Sequence, residues 1–512
     1  MDLYGTLAAA FRPHLQKPWI ELQDGGTLPY AAVEEGSAKV VGLLRSLGLA
    51  RGDRVAVQVD KTPEALLVYL GTVRAGAAFL PLNPAYRSEE VAYFLADAEP
   101  AVAIGRPEAA SDFEAAATAS RVRHVFALGA DGRGSWSDAV AAASPVHEDA
   151  RIGERDLASI VYTSGTTGRA KGAMLTHGNL VSNAVTLHTL WGFEGRDVLL
   201  HALPIFHVHG LYVATNTAML NASRIRFHAR FDAHDVVEAL AGSTVFMGVP
   251  TMYTRMLAQP ALTRERCAGM RLFVSGSAPL LPEVFERFRE RTGHSILERY
   301  GMTETGMNAS NPWWGERRAG TVGRALPGVE VRVTGEDGRT LPAGQVGEVQ
   351  VRGPNVLTGY WRRPDKDAEE FTVDGYFRTG DLGSLDGDGY LTLVGRSKDL
   401  VISGGFNVYP KEIELLLDGL PGVAESAVIG LAHPDLGEGV TAVLVLKPGV
   451  HVGEEDVLAA LRPHLAAFKL PKAVRLVEEL PRNAMGKVQK NLLRERFAGL
   501  YGSRSGSSRP VR

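Results

Sequence analysis

The sequence predicts an α/β protein: a large N-terminal domain of layered α/β subdomains plus a β subdomain, followed by a small mobile α+β C-terminal domain. Three observations carry this expectation. Short β-branched runs alternate with helical patterns along the first three hundred residues, the signature of parallel sheets with crossover helices. The texture changes to hairpins near residue 325. The last hundred residues then form a separate strand-and-helix pattern with apolar positions of its own.

DRVAVQVD (53–60) alternates as a strand, TPEALLVYLGTVRAG reads as a helix ending at Gly76, and AAFLPLN reads as a second strand. VFALG, SIVYT, DVLLHALP, STVFMGVP and RLFVSG continue the strand series, with HDVVEALAG as an intervening helix. GVEVRVTGEDGRTLPAGQVGEVQVRG reads as hairpins, and the EDG and GDG turns place a β subdomain at about 325–395. The expected domains are therefore 1–397 and 398–500. In the second, KEIELLLDGL and EEDVLAALRPHL read as helices, and VAESAVIGL, GVTAVLVL and AVRLVEEL as strands. The tail 501–512 is Ser/Gly/Arg-rich and is expected to be disordered.

Composition narrows the function classes. A formal net charge of −3 argues against a nucleic-acid partner. The single cysteine, Cys267, excludes an intrachain disulfide and a Cys-rich metal site. The N-terminal stretch has no apolar signal core, and no run approaches the ~18 apolar residues of a membrane span. A cytoplasmic protein without a membrane partner is expected, as a monomer or small homo-oligomer.

The strongest local signal is Thr163-Ser164-Gly165-Thr166-Thr167-Gly168-Arg169-Ala170-Lys171, after the apolar run SIV. Glycine, serine and threonine offer backbone N–H and hydroxyl donors, and Lys171 adds a cation; together they suit a polyphosphate. Gly172 follows Lys171, so the segment is not a Walker A loop. In Glu298-Arg299-Tyr300-Gly301-Met302-Thr303-Glu304, an aromatic beside glycine can stack on a purine, and Glu304 offers the oxygen ligand that Mg²⁺ prefers. In Arg378-Thr379-Gly380-Asp381, Asp381 suits ribose hydroxyls or a plain turn. Gly395-Arg396-Ser397-Lys398-Asp399 and Asn483-Ala484-Met485-Gly486-Lys487 complete the series.

These five segments, in this order, resemble the adenylate-forming superfamily, which includes acyl-CoA synthetases, luciferases and the adenylation domains of peptide synthetases. The resemblance spans about residues 15–500. It implies ATP, Mg²⁺ and coenzyme A as cofactor and co-substrates, and a hinge at Lys398 between a large domain and a mobile small one. By the same resemblance, residues 163–171 wrap the β- and γ-phosphates. Ser277, Ala278 and Pro279 border the adenine, Tyr300 stacks on it, Thr303 contacts the α-phosphate and Glu304 holds Mg²⁺. Asp381 and Arg396 bind the ribose side, and Lys487 touches the α-phosphate and the acyl carboxylate. Ser403, Gly404, Gly405 and Phe406 approach the pantetheine in a second half-reaction, or else form only a tight turn. Acetylation of Lys487 by a lysine acetyltransferase would remove a charge that the first half-reaction needs.

The acid is read from fewer residues. Arg299 occupies a position that the superfamily commonly fills with a small or uncharged residue facing the acyl pocket. A buried unpaired cation is costly, but a guanidinium matches a second carboxylate with two parallel hydrogen bonds. A short dicarboxylate follows, with malonate the simplest, and Ser275 and His207 are further candidate contacts. ALPIFHVHGL, RLFVSGSAPL, LERYGMTETGMNASNP and LPRNAMGKVQKNLLRE resemble the malonate-activating branch of the superfamily. Some activity on methylmalonate is expected. Arg299 could instead pair with Glu298, His207 could be a core histidine, His209 reads as structural, and Arg230 is a weaker pocket candidate. The competing functions are activation of another short acid, or loading of a carrier protein in trans.

Overall fold

The computed structural model describes residues 2–163, 170–404, 406–483 and 486–501. Its backbone divides into two compact units. One comprises Met1–Val331 with Val351–Phe377, and the other Arg332–Gln350 with Arg378–Arg512. The division falls inside the hairpin region, most of which goes with the C-terminal segment. No helix among the described residues is long and apolar enough to cross a membrane.

Two α/β sheets build the first unit. A six-stranded sheet has the spatial order 124–127, 102–105, 54–57, 78–81, 157–163, 171–176. Its first five strands are parallel, and the last returns antiparallel. A nine-stranded sheet runs 324–325, 306–310, 297–302, 272–275, 245–248, 198–201, 224–227, 18–22, 27–29, with a parallel centre. The central strands Leu272–Ser275 and Val245–Gly248 are buried along their whole length. That burial explains their continuous apolar runs, because helices cover both faces of a parallel sheet.

Local chemistry sets the boundaries. Helix Pro63–Arg74 starts at Thr62, whose hydroxyl accepts from the Ala65 N–H at 3.1 Å, with Pro63 supplying a pre-set φ at the first helical position. Helix His177–Leu190 opens with a reciprocal box: Thr176 Oγ1 accepts from Asn179 N at 3.1 Å, and Asn179 Oδ1 accepts from Thr176 N at 2.9 Å. This fixes the exit of the hairpin that carries residues 163 and 171.

The sheet Glu330–Thr334, Gly347–Arg352, Phe377–Leu385 and Leu391–Arg396 lies mostly in the second unit. A second sheet of strands 401–403, 406–408, 423–433, 437–446 and 473–476 packs against helices Pro410–Asp418 and Glu454–Leu461. Two expected elements come out shorter. The second helix stops at Leu461, because Pro463 has no N–H to continue the helical hydrogen bonds. The last strand covers Ala473–Leu476 only; the chain bends at Glu478 and Glu479, although the partner strand runs on from Leu444, opposite Leu476, to Leu446.

Candidate active site

Register brings one group of candidates together. Strands 245–248, 272–275 and 297–302 pair Gly248 with Ser275 and Ser275 with Glu298. Ser275 and Arg299 therefore stand at the C-terminal edge of the large sheet, where open α/β sheets place ligands. Arg299 is only 2% exposed. A Cβ on Gly276 would lie 2.4 Å from Arg299 Nη1, so the guanidinium packs on the bare backbone there. Residue 277 follows with φ +71°, a conformation unusual for serine.

Arg299 Nε and Nη2, Ser275 Oγ and His209 Nε2 are all buried without a hydrogen-bond partner among the described residues. Burial is the main cause that pushes the Arg299 guanidinium down to about 9. His207 is likewise pushed down to about 4, by burial and then by the charge of Arg299, so it is neutral at pH 7. His209 moves in the same direction for the same two leading causes. The His209 N–H donates to His207 Nδ1 at 3.2 Å, which leaves His207 Nε2 as the protonated nitrogen. His209 Nδ1 lies 3.3 Å from Ser277 Oγ. Glu298, the alternative partner for Arg299, accepts from the Leu280 N–H at 2.9 Å.

Arg74 provides an internal contrast. It is equally buried, but its Nε reaches Asp149 at 2.8 Å, its Nη2 reaches Glu34 at 2.9 Å, and its Nη1 meets Tyr4 and Ser37, each at 2.9 Å. That is a structural arginine with its donors occupied. Arg299 is not, and buried donors left unmade cost free energy unless a ligand takes them. The donor set of Arg299, Ser275 and His209 is cationic and hydrogen-bonding, which suits a carboxylate.

A second group surrounds the ends of the candidate phosphate segment. Thr163 and Lys171 pair across the ladder between strands 157–163 and 171–176. Ser164, Gly165, Thr166, Thr167, Gly168 and Arg169 lie outside the described residues. Thr163 Oγ1 donates to Glu304 Oε1 at 3.1 Å, and the Tyr360 hydroxyl donates to the same oxygen at 3.4 Å. Lys171 Nζ sits 4.3 Å from the centre of the Tyr360 ring and 2.8 Å from Glu370 Oε1. Tyr360 and Glu370 were not among the sequence candidates. Tyr360 arrives through a backbone bridge to Ala173, a long-range pairing with no local signal. Glu304 offers carboxylate oxygen beside the Thr163 hydroxyl, a donor set that fits Mg²⁺. Tyr300 is buried, Thr303, Ser277 and Ala278 are half-buried, and Pro279 is exposed.

In the second unit Asp381 and Arg396 are cross-strand partners. Arg396 Nε lies 2.7 Å from Asp381 Oδ1, and the Asp381 N–H donates to Thr379 Oγ1 at 3.0 Å. The Lys487 ammonium is pushed down to about 8, first by the protein packed around it and then by the charge of Arg396; Lys398, Asp381 and Asp399 also act on it. Its side chain as a whole nevertheless stays exposed. Lys398 is also exposed, and Asp399 accepts from Arg494 at 2.6 Å. Ser403 pairs with Phe406 across a tight turn through Gly404; Gly405 lies outside the described residues. Phe406 is 56% exposed and stacks on Phe468 at 4.7 Å.

The AMP-binding enzyme model matches residues 8–361, and the model for the AMP-binding enzyme C-terminal domain matches residues 412–487. A feruloyl-CoA synthase from Amycolatopsis is 37% identical over 481 residues, covering 93% of this chain and 95% of its own. A malonate–CoA ligase from Arabidopsis thaliana is 35% identical over 483 residues, covering 88% and 78% respectively. Among solved structures, ATP-bound MatB from Rhodopseudomonas palustris superposes with a TM-score of 0.95 at 51% identity, covering 98% of this chain and all of that one.

Proposed function

Because the chain belongs to the AMP-binding enzyme family and is an AMP-forming acid–CoA ligase, we propose that its acid is malonate, converted with ATP and coenzyme A to malonyl-CoA, AMP and pyrophosphate through malonyl-AMP. The observation that carries this reading is the buried Arg299 with two unpartnered nitrogens beside Ser275 Oγ and His209 Nε2. Relatives at similar identity are named for acids as different as ferulate and malonate, so overall likeness does not choose the acid. A buried guanidinium supports a second anionic group on the acid, because an aryl or alkyl tail would leave it unpaired.

In the first half-reaction one malonate carboxylate attacks the α-phosphate and pyrophosphate leaves. Two anions must approach, so fixed cations aimed at the developing charge lower the barrier. We assign Lys487 to that charge, Thr303 to the α-phosphate, and Thr163 through Lys171 to the departing phosphates. Tyr300 and Ser277-Ala278-Pro279 are assigned to the adenine, and Asp381 with Arg396 to the ribose. Glu304 would hold Mg²⁺, which when bound neutralises phosphate charge. The second carboxylate takes the Arg299 donors, with His207 and Ser275 alongside. In the second half-reaction the CoA thiol attacks the acyl-AMP carbonyl and AMP leaves; Ser403, Gly404, Gly405 and Phe406 are assigned to the pantetheine. Lys398 is proposed as the hinge between domains 1–397 and 398–500.

The test is CoA-dependent pyrophosphate release with malonate, methylmalonate, succinate, acetate, benzoate and ferulate. Malonate should lead, with methylmalonate following, because one methyl discriminates by only ~1–3 kcal/mol. A lead by any monocarboxylate refutes the substrate. Release that needs an acyl-carrier protein in place of CoA refutes the acceptor.

A further inference from the structure

Lys61 is half-buried, carries no carboxylate partner among the described residues in the contacts made by its ammonium, and has no part in the chemistry above. It follows the strand Arg54–Val57 of the six-stranded sheet. Its Nζ reaches across to the nine-stranded sheet, where three acceptors meet it: His201 Nδ1 at 2.9 Å, the His201 carbonyl at 2.8 Å and the His228 carbonyl at 2.7 Å. The ammonium also lies 4.4 Å from the centre of the Phe227 ring. An ammonium has three donors and no acceptor, so all three are used.

This arrangement dictates the state of His201. A nitrogen facing an ammonium must accept, so Nδ1 carries no proton and Nε2 does. Nε2 in turn faces the Gly210 carbonyl at 2.9 Å, which must be the acceptor. Thr215 Oγ1 donates to the same carbonyl at 3.0 Å. Gly210 lies in a π-helical turn, His209–Thr215, of the kind that recurs at functional sites. A Cβ there would sit 2.1 Å from the Pro204 carbonyl oxygen, so the turn is pressed against residues 203–204. The residue before Gly210 is His209, whose Nε2 is one of the unpartnered donors beside Arg299.

We propose that Lys61 is a positioning residue for the acid-binding pocket: by fixing His201 as its Nε2–H tautomer, it anchors the Gly210 carbonyl and so sets the placement of His207 and His209. This rests on the reading that the Arg299 cluster receives the acid. It does not depend on which acid that is. Lys61 and His201 are 140 positions apart in sequence, and the contact joins two sheets at their C-terminal strand ends.

Lys61→Met and His201→Gln are assayed with whichever acid the wild type uses best, so failure of the malonate reading leaves the test intact. The KM for the acid should rise at least tenfold, while the KM for ATP stays within twofold. Nitrogen-15 spectra of histidine-labelled protein, with His201 assigned by its loss in His201→Gln, should show His201 as the Nε2–H tautomer in the wild type and a mixture in Lys61→Met. A parallel rise in both KM values would mean a general structural staple and overturns the proposal. So does an unchanged KM for the acid, or an Nδ1–H tautomer in the wild type. Should Lys61→Met not fold, the wild-type spectrum and the His201→Gln kinetics decide between the same outcomes.

Discussion

Replacing Arg299 with methionine separates binding from folding in opposite directions. The guanidinium is buried, and its Nε and Nη2 are unpartnered. Its depression from 12.5 to about 9 corresponds to roughly 5 kcal/mol of unfavourable surroundings for the charge, at 1.36 kcal/mol per unit. Methionine of similar length leaves no charge to desolvate, so the free protein should become no less stable, and up to a few kcal/mol more so. The dicarboxylate complex, by contrast, loses a buried charge pair, which costs about 3–5 kcal/mol when one partner is removed. That is a fall of about 10²–10³ or more in kcat/KM for malonate, since each 1.4 kcal/mol is a factor of ten. Acetate and butyrate, which have no second carboxylate, should hold their rate or gain. The assay is CoA-dependent pyrophosphate release across the acid panel, with thermal unfolding of both proteins without ligands. Retained malonate preference in Arg299→Met refutes the anchor. A large drop in Tm together with uniform loss on every acid would make Arg299 structural, like Arg74.

Lys487→Ala should slow adenylation by about 10²–10³ yet leave CoA transfer from preformed malonyl-AMP intact; equal loss in both half-reactions, measured separately, would contradict the assignment. Because Lys487 is a base pushed down to about 8, its cation is present below that pH and lost above it. The kcat/KM for adenylation should therefore fall as pH rises through about 8, and Lys487→Arg, which stays charged, should lack that limb. Glu304→Gln keeps the size of the side chain but removes the charge, so half-maximal activity should require several-fold more Mg²⁺. An unchanged Mg²⁺ titration would exclude Glu304 as ligand. Phe406→Ala should raise the KM for CoA and leave acid-dependent ATP–pyrophosphate exchange unchanged, and a loss of exchange would point to a folding role through Phe468 instead.

Much of this protein is readable along the chain. The strand around 54–57 shows by alternation, and the parallel strands around 78–81, 198–201, 245–248 and 272–275 announce themselves as apolar runs, because burial on both faces removes polar alternation. Helix Pro63–Arg74 is legible from Thr62 and Pro63, since capping is a contact between near neighbours. The helix Glu454–Leu461 and the strand Ala473–Leu476 are each shorter than the sequence pattern predicts. One end is set by a proline without an N–H, and the other by a bend at Glu478 and Glu479 that the apolar pattern does not report.

The site divides in the same way. Residues 163–171, 298–304, 378–381, 396–399 and 483–487 each lie close together in sequence, so the chain by itself identifies the reaction class. The state of each charge is a different matter. Arg74 and Arg299 are alike as residues, yet one is paired by Glu34 and Asp149 and the other keeps two nitrogens without a partner. The roles of Tyr360 beside Lys171, and of Lys61 beside His201, likewise depend on segments brought together from distant parts of the chain. Electrostatic energy falls off with distance in space and with desolvation, and neither is a function of separation along the sequence. The sequence therefore determined the class of chemistry, while the tertiary structure alone decided which buried cation is left with donors for a ligand.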